Sequence, residues 1–191
     1  MAELENLLVE LTSGDENRAE IAAAGLLDFG EAAFPSLREL SESTDPDHRW
    51  WAVSTLAQSP LAHVDWLLPF LADSNPEVRQ AAALGLCSHP GEKAIPPLIR
   101  ALKDPDSMVA TLATHALVAN GKAAVLPLLD VISDSPLAVR VQVIRALAEI
   151  RDHRAIPALM SALEEKSVLM QHWAEEGLER LGLNMVYINP E

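Results

Sequence analysis

One cysteine, Cys87, stands among the 191 residues. A disulfide within the chain needs two, so no such cross-link braces it, and a zinc site built on several thiolates is excluded. Aromatic residues make up 4% and glycines number 8. A core with so few rings is built from small and aliphatic side chains, and 49% of the residues are hydrophobic. Ala and Leu dominate, and both lose little side-chain entropy in a helix. No run of about 18 apolar residues occurs, so no membrane-spanning helix is expected. Cations are scarce as well: 14 Lys and Arg face 28 Asp and Glu, a net charge of −14. Nucleic acid and anionic membranes are therefore not expected partners, because their phosphates are held mainly by clustered Lys and Arg. A basic protein partner is permitted. The first residues, "MAELENLLVELTSGDEN", are acidic and lack the basic segment of a signal peptide, so a cytoplasmic location is expected.

Recognisable reaction chemistry is equally sparse. The six histidines, His48, His63, His89, His115, His153 and His172, show no HxxxH spacing, so no metal site is expected. Cys87 has no nearby cation in the sequence and reads as a small buried hydrophobe. Ser54 and His115 come without a nucleophile elbow, and "GEKA" and "GKAA" do not match a phosphate-cradling loop. On these grounds no catalytic residue, cofactor or metal ligand is assigned, and the chain is expected not to be an enzyme.

What the sequence does hold is a repeat. Stepping by 30 or 31 residues gives the series Arg18, Arg49, Arg79, Ala110, Arg140 and Gln171. Six residues before each stand Thr12, Ser43, Asp73, Asp104, Asp134 and Glu165. Upstream of these recur short apolar segments, among them "FPSLREL", "IPPLIRAL", "LPLLDVI" and "IPALMSAL". Each unit reads as an apolar helix, a polar turn and a second helix, with Asp, Ser and Asn available as N-caps and Pro tolerated at helix starts. The units fall at roughly 1–32, 33–62, 63–93, 94–123, 124–153 and 154–184, with a tail over 185–191, and together they form a single repeat domain. No helix pair of this length buries its apolar face alone, so stacking is required. Asp and Arg at the six-residue separation are expected to bridge neighbouring units and to bind turn carbonyls.

The Asp-x5-Arg pairs (Asp73/Arg79, Asp134/Arg140), the valine before the Arg (Val78, Val139) and the early prolines Pro35, Pro96, Pro127 and Pro157 resemble HEAT repeats. The period of about 30 is similar to the short, phycobilisome-lyase type of that class. The resemblance covers nearly the whole chain and is weakest at the ends, at Asn17–Arg18 and Met170–Gln171. It implies an all-α fold, a right-handed α-α superhelix of about six helix pairs whose second helices line a concave surface.

Helical periodicity divides each second helix into two sides. Counting from the residue before each anchor, positions four, five, seven and eight are small or aliphatic and are expected to be buried: Ala52, Val53, Thr55 and Leu56; Ala82, Ala83, Gly85 and Leu86; Val143, Ile144, Ala146 and Leu147. The opposite side carries Trp50, Trp51, Leu84, Leu112, His115, Val141, Arg145, His172 and Trp173. By the resemblance these face the groove, and an apolar surface rich in Trp marks a partner-binding site. Gln142, Arg145 and Glu176 would help to orient a partner. Trp66 is expected to pack between first helices, the tail "GLNMVYINPE" to be able to fold over Trp173, and "VYINP" to be a candidate self-association segment. The leading expectation is a scaffold or adaptor that binds a protein partner in the groove, with the acidic rim favouring a basic segment. The alternative implied by the resemblance is a bilin lyase-like or phycobilisome-handling subunit, with Trp50, Trp51 and His115 flanking a tetrapyrrole or its carrier. A HEAT-like DNA glycosylase needs a basic face that this charge denies.

Overall fold

The structure is a computed structural model that describes residues 2–183. The proposed self-association segment 186–190 and the remainder of the tail expected over Trp173 lie outside the described residues. Among those residues there are twelve α-helices, five 3-10 turns and no strand. In chain order the helices are α1 (Ala2–Leu11), α2 (Glu16–Asp28), α3 (Phe34–Leu40), α4 (Pro46–Gln58), α5 (Val64–Leu67), α6 (Pro76–Ser88), α7 (Ile95–Ala101), α8 (Ser107–Ala119), α9 (Val125–Ile132), α10 (Leu137–Ile150), α11 (Ile156–Leu163) and α12 (Val168–Arg180). The chain divides into two compact units, residues 1–97 and 98–191. In the first, α1 packs on α2, α2 and α3 on α4, and α4 and α5 on α6. In the second, α10 packs on α8, α9 and α12, and α11 packs on α12.

Capping sets where the second helices begin. Asp15, Asp45, Asn75, Asp106 and Ser167 each accept a hydrogen bond from a first-turn N–H of the helix that follows. Each such cap contributes about 1 kcal/mol. Pro136 occupies the same repeat position before α10 and gives no side-chain cap. The early prolines behave as expected, with one instructive exception. Pro69 falls mid-segment, so α5 ends at Leu67 and the chain continues as a 3-10 turn over Leu68–Ala72. Proline lacks the N–H and clashes with the carbonyl four residues back.

Leucines build the core of each unit. In the first, Leu37 and Leu67 come from first helices and Leu56 and Leu86 from second helices; in the second, Leu98, Leu128 and Leu159 come from first helices and Leu117, Leu147 and Leu178 from second helices; none is more than 1% exposed. The twelve positions expected to be buried on the second helices are all buried. Truncating one of these leucines to Ala would cost about 2–5 kcal/mol. Small residues let the helices close on each other. A Cβ on Gly85 would lie 2.5 Å from Ala57 Cβ, and one on Gly177 would lie 2.8 Å from Ala148 Cβ. Trp66 packs between first helices as expected, edge-on to Phe34 of α3 at 4.8 Å between ring centroids. At the end of α10, Arg151 takes a left-handed φ of 58° where Gly121 and Gly182 serve the same turn in neighbouring repeats.

The arginine ladder bridges repeats rather than closing within one. The Arg49 guanidinium grips the Asp73 carboxylate, 24 residues on, through Nε and Nη2, each at 2.8 Å. Its Nη1 donates to the carbonyls of Ser43 and Thr44 in its own turn. Arg79 donates to the backbone carbonyl of Asp73, so Asp73 and Arg79, six apart, share a turn while the Asp73 carboxylate serves the previous repeat. Arg140 pairs with Glu165 at 2.8 Å in the same forward sense. Gln171, in an anchor position, keeps the carbonyl half of the arrangement by donating to Leu163 and Glu165.

Two stability predictions follow from this packing. Gly85→Ala gains about 1 kcal/mol in helix propensity but loses more to the Ala57 clash, since overpacking costs about 1–3 kcal/mol. Thermal unfolding should show a net loss of up to about 2 kcal/mol, and a raised Tm would refute the close approach. For Asp73, the Arg49 guanidinium is the main cause that holds its carboxyl below the usual range. At Asp152 the side chain of Arg154, followed by its backbone N–H, lowers the carboxyl to about 2. Both folded values are depressed, so the stability they contribute is present above the unfolded value of about 4 and is lost as pH falls through the folded values. Denaturation from pH 7 down to 2 should show this acid loss. Asp73→Asn should flatten part of it and cost about 2 kcal/mol at neutral pH, between an exposed and a buried pair.

Candidate functional site

The outward side of α4 and α6 carries the largest cavity described here. Trp50 and Trp51 leave the start of α4 side by side, with ring centroids 4.7 Å apart and planes at 81°. Both are half-buried: they are neither core nor free surface. Edge-to-face contact of this kind stabilises the pair by about 1 kcal/mol beyond burial. Trp50 then forms part of the wall of three cavities. The largest, ≈ 660 Å³, runs along α4 and α6 past Ser54, Leu84, Gly85 and His89. A second, ≈ 430 Å³, lies toward the α1–α2 turn and includes Trp51, Glu16, Asp45 and Asp47. A third, ≈ 480 Å³, opens between the first turns of α4 and α6, at Asp47, Asn75, Glu77 and Gln80.

The ≈ 660 Å³ cavity has mostly apolar walls, and its size fits the usual range for small-molecule sites. Leu84 is 58% exposed at its rim. His89 closes one end, with Nδ1 2.9 Å from the Gly85 carbonyl and Nε2 2.9 Å from the Ser59 carbonyl. This histidine ties the end of α6 to the end of α4. Among the described residues no Lys, Arg, Asp or Glu lines this cavity.

The second unit gathers the other candidate residues around Arg145 on α10. Its guanidinium carbon lies 5.1 Å from the centre of the Trp173 ring. Its Nε donates to Glu149 at 2.9 Å, and its Nη2 approaches His115 Nε2 at 2.8 Å. A guanidinium only donates, so His115 Nε2 is the acceptor and its ring proton sits on Nδ1. His172 lies against Trp173, with centroids 5.1 Å apart. Leu112, Val141 and Trp173 are half-buried, and His115 and His172 are exposed. All nine residues expected to face the groove are at least partly accessible. The structure joins Trp50 with Leu84 in the first unit, and His115, Arg145, Trp173 and His172 in the second.

Several contributors were not legible from the repeat. Glu149 holds Arg145, and its i,i+4 spacing was the available signal. Glu16, Asp47 and Glu77 read as ordinary first-turn acids, and nothing in the sequence brought them to Trp50. Two residues expected to orient a partner have structural ties: Gln142 accepts from Thr114 at 3.0 Å, and Glu176 pairs with Arg180. Cys87 is half-buried, donates to the Ala83 carbonyl, and has its thiol pKa pushed up by burial, the opposite of an activated nucleophile. Among the described residues no cluster of His, Cys, Asp or Glu could hold a metal ion. No single helix among them is long and apolar enough to cross a membrane.

Comparison with known proteins places this geometry. The family model described as HEAT repeats matches residues 64–136 and 125–186. The chain belongs to the HEAT-repeat family. Its fold class is accordingly the all-α, HEAT-like solenoid type. The archaeal HEAT-like repeats protein from Thermococcus onnurineus NA1 shares the fold, with a TM-score of 0.68 and 17% identity over 95% of this chain and 80% of that one. A chain from the complex of CpcE and CpcF of phycocyanin lyase from Nostoc sp. PCC7120 also shares it, with a TM-score of 0.61 and 23% identity over 76% of this chain and 98% of that one. Among curated proteins, Bilin biosynthesis protein RpcF of Synechococcus sp. (strain WH8020) is 35% identical over 117 residues, 61% of this chain and 54% of that protein. The chain thus spans about half the length of this curated relative. That similarity overturns the expectation that the chain is not an enzyme. The expectation rested on missing nucleophile, metal and phosphate-loop spacings, and the absence of such spacings does not exclude a reaction.

The Arg145 cluster generates its own prediction. Arg145→Met keeps the aliphatic bulk but removes the cation over Trp173 and the contacts to Glu149 and His115. It should cost about 1 kcal/mol and alter the near-ultraviolet circular dichroism of tryptophan while leaving helix content unchanged. An unaltered near-ultraviolet spectrum would show that Arg145 does not sit on Trp173.

Proposed function

We propose that this chain is a bilin-handling subunit of lyase type, which holds a linear tetrapyrrole while the pigment passes to or from a carrier protein. The observation that carries the reading is the 35% identity, over 117 residues, to Bilin biosynthesis protein RpcF. The local chemistry supports it. A bilin is long, conjugated and largely apolar, and the ≈ 660 Å³ cavity offers Trp50 and Leu84 as walls and Ser54, Gln58, Ser88 and His89 as polar edges. Tryptophan gives such a ligand a broad stacking face at low entropic cost.

The charge balance favours a shared task. Bilin propionates need Arg or Lys, and none lines this cavity. Arg145, the cation of the second-unit cluster, is already engaged by Glu149 and His115. The missing positive charge comes, on this reading, from a second protein, so the chain acts with a partner rather than alone.

The test is a titration of free bilin with the purified chain, read by the visible absorption band and by quenching of tryptophan fluorescence. The wild type should shift the band and be quenched. Trp50→Ala and Leu84→Glu should each weaken binding about tenfold, equivalent to about 1.4 kcal/mol. Adding the cognate partner and an acceptor biliprotein should then give bilin transfer. A band unmoved at excess protein, together with no transfer in the complete mixture, overturns the proposal.

A further inference from the structure

The ≈ 660 Å³ cavity absorbs only one side of Trp50. The other two cavities have a different character, and the bilin reading makes no use of them. Glu16 and Asp45 line the ≈ 430 Å³ cavity, Glu77 lines the ≈ 480 Å³ cavity, and Asp47 lines both. They come from the starts of three successive second helices, α2, α4 and α6. Among the described residues no Lys or Arg lines either cavity. The anchor arginines of these three repeats are engaged elsewhere, Arg18 with Glu10, Arg49 with Asp73, and Arg79 with the carbonyls of Asp73 and Ser74. Among the described residues Glu16, Asp47 and Glu77 form no ion pair, and all three are exposed. Asp45 is spent in part on capping Asp47 N–H at 2.9 Å and lies 3.8 Å from His48.

Each acid alone is explained by the positive end of its helix. That explanation does not account for their meeting around a half-exposed tryptophan pair with no balancing cation. A tryptophan face beside carboxylates is the combination that holds an ammonium or a guanidinium: the ring attracts the cation, its flat surface packs the aliphatic stem, and the acids supply charge-assisted hydrogen bonds. The three acids border the two cavities, and the net charge of −14 steers cations toward them.

We infer that the acidic side of Trp50 and Trp51 is a docking site for a Lys- or Arg-bearing segment of a partner protein, separate from the apolar cavity on the α4–α6 side. The inference goes beyond the bilin reading and does not depend on it. A basic side chain seats against the tryptophan pair and is held by Asp47, with Glu16 and Glu77 drawing the flanking basic residues into the two cavities.

The probe is a fluorescein-labelled peptide of alternating Lys and Arg, titrated with the full chain at low and at physiological salt and followed by anisotropy. Saturable binding is expected, weakening steeply as salt rises because the contact is exposed. The triple variant Glu16→Gln/Asp47→Asn/Glu77→Gln should bind at least about tenfold more weakly, a difference of about 1.4 kcal/mol. Its control, Glu164→Gln/Glu175→Gln/Glu179→Gln, removes the same charge from exposed positions of the second unit and should bind like the wild type. Trp51→Phe, which keeps a ring and the fold, should weaken binding a few-fold, and Trp51→Ala should weaken it further once its thermal stability has been checked. No saturable binding by the wild type, or equal losses in the two triple variants, would overturn the inference. So would peptide binding indifferent to Trp51→Phe and Trp51→Ala. The bilin titration, run on the same first-unit triple variant, should not be weakened, so failure of this inference and failure of the bilin reading register separately.

Discussion

The close approach of α4 and α6 is the constraint on which the candidate site depends. Gly85 allows it: a single methyl there would meet Ala57 at 2.5 Å. The same two residues line the ≈ 660 Å³ cavity, whose floor is therefore the helix contact itself. With the backbones this near, Leu56 and Leu86 close the core beneath, while Trp50 and Leu84 are left standing at the edges. Widening the spacing would sink the site into the core or open its walls. The cavity is thus a by-product of packing two helices through small residues, and this is why an alanine-rich, ring-poor composition can still present a ligand-sized depression.

The arginine clamps hold this arrangement from the turn side. Arg49 spends its guanidinium on two repeats at once, taking the Asp73 carboxylate of the next turn and the carbonyls of its own. The clamp fixes where α4 starts relative to α6, and hence where Trp50 stands relative to Leu84. It also removes Arg49 from the pool of cations near the tryptophans. The local excess of negative charge around Trp50 is in this sense a consequence of architecture: the repeats consume their arginines internally and leave their first-turn acids facing solvent. Glu165 is used similarly in the second unit, its carboxylate on Arg140 and its carbonyl on Gln171.

Most of the fold was legible because the repeat is written in residues whose roles are local. Caps, early prolines, small positions and leucines recur every 30 or 31 residues, and helical periodicity converts each into a side of a helix. The irregularities were also local: Pro69 cuts α5 short, and Pro136 stands where a cap is expected. The site was legible only in part. Periodicity put Trp50, Trp51, Arg145 and Trp173 on accessible sides, but it carries no information on which side chains meet. That Arg145 would choose Glu149, His115 and the Trp173 ring, or that three first-turn acids would border Trp50, depends on side-chain directions and on distances between helices. The bilin lyase-like alternative was legible only through the resemblance of the 30-residue period, and not through any reaction motif. Reaction motifs advertise themselves when a nucleophile or metal must be held at fixed spacing, whereas a surface that positions another molecule leaves only the pattern of a fold.

The two sides of Trp50 also bear on each other. On the proposed bilin reading, the pigment carries its negative charge on propionates, and the acids at Glu16, Asp47 and Glu77 repel them. In the ≈ 660 Å³ cavity, which no acid lines, the apolar body of the pigment meets no such opposition. The bilin would therefore lie with its propionates turned away from the first turn of α4, toward the solvent edge where a partner's cations can reach them. A basic partner segment seated on the acidic side of the same tryptophan would bring positive charge close to that edge while neutralising the acids that oppose the pigment. Binding of partner and of bilin would then favour each other through one shared side chain, without any change in the helices that carry it.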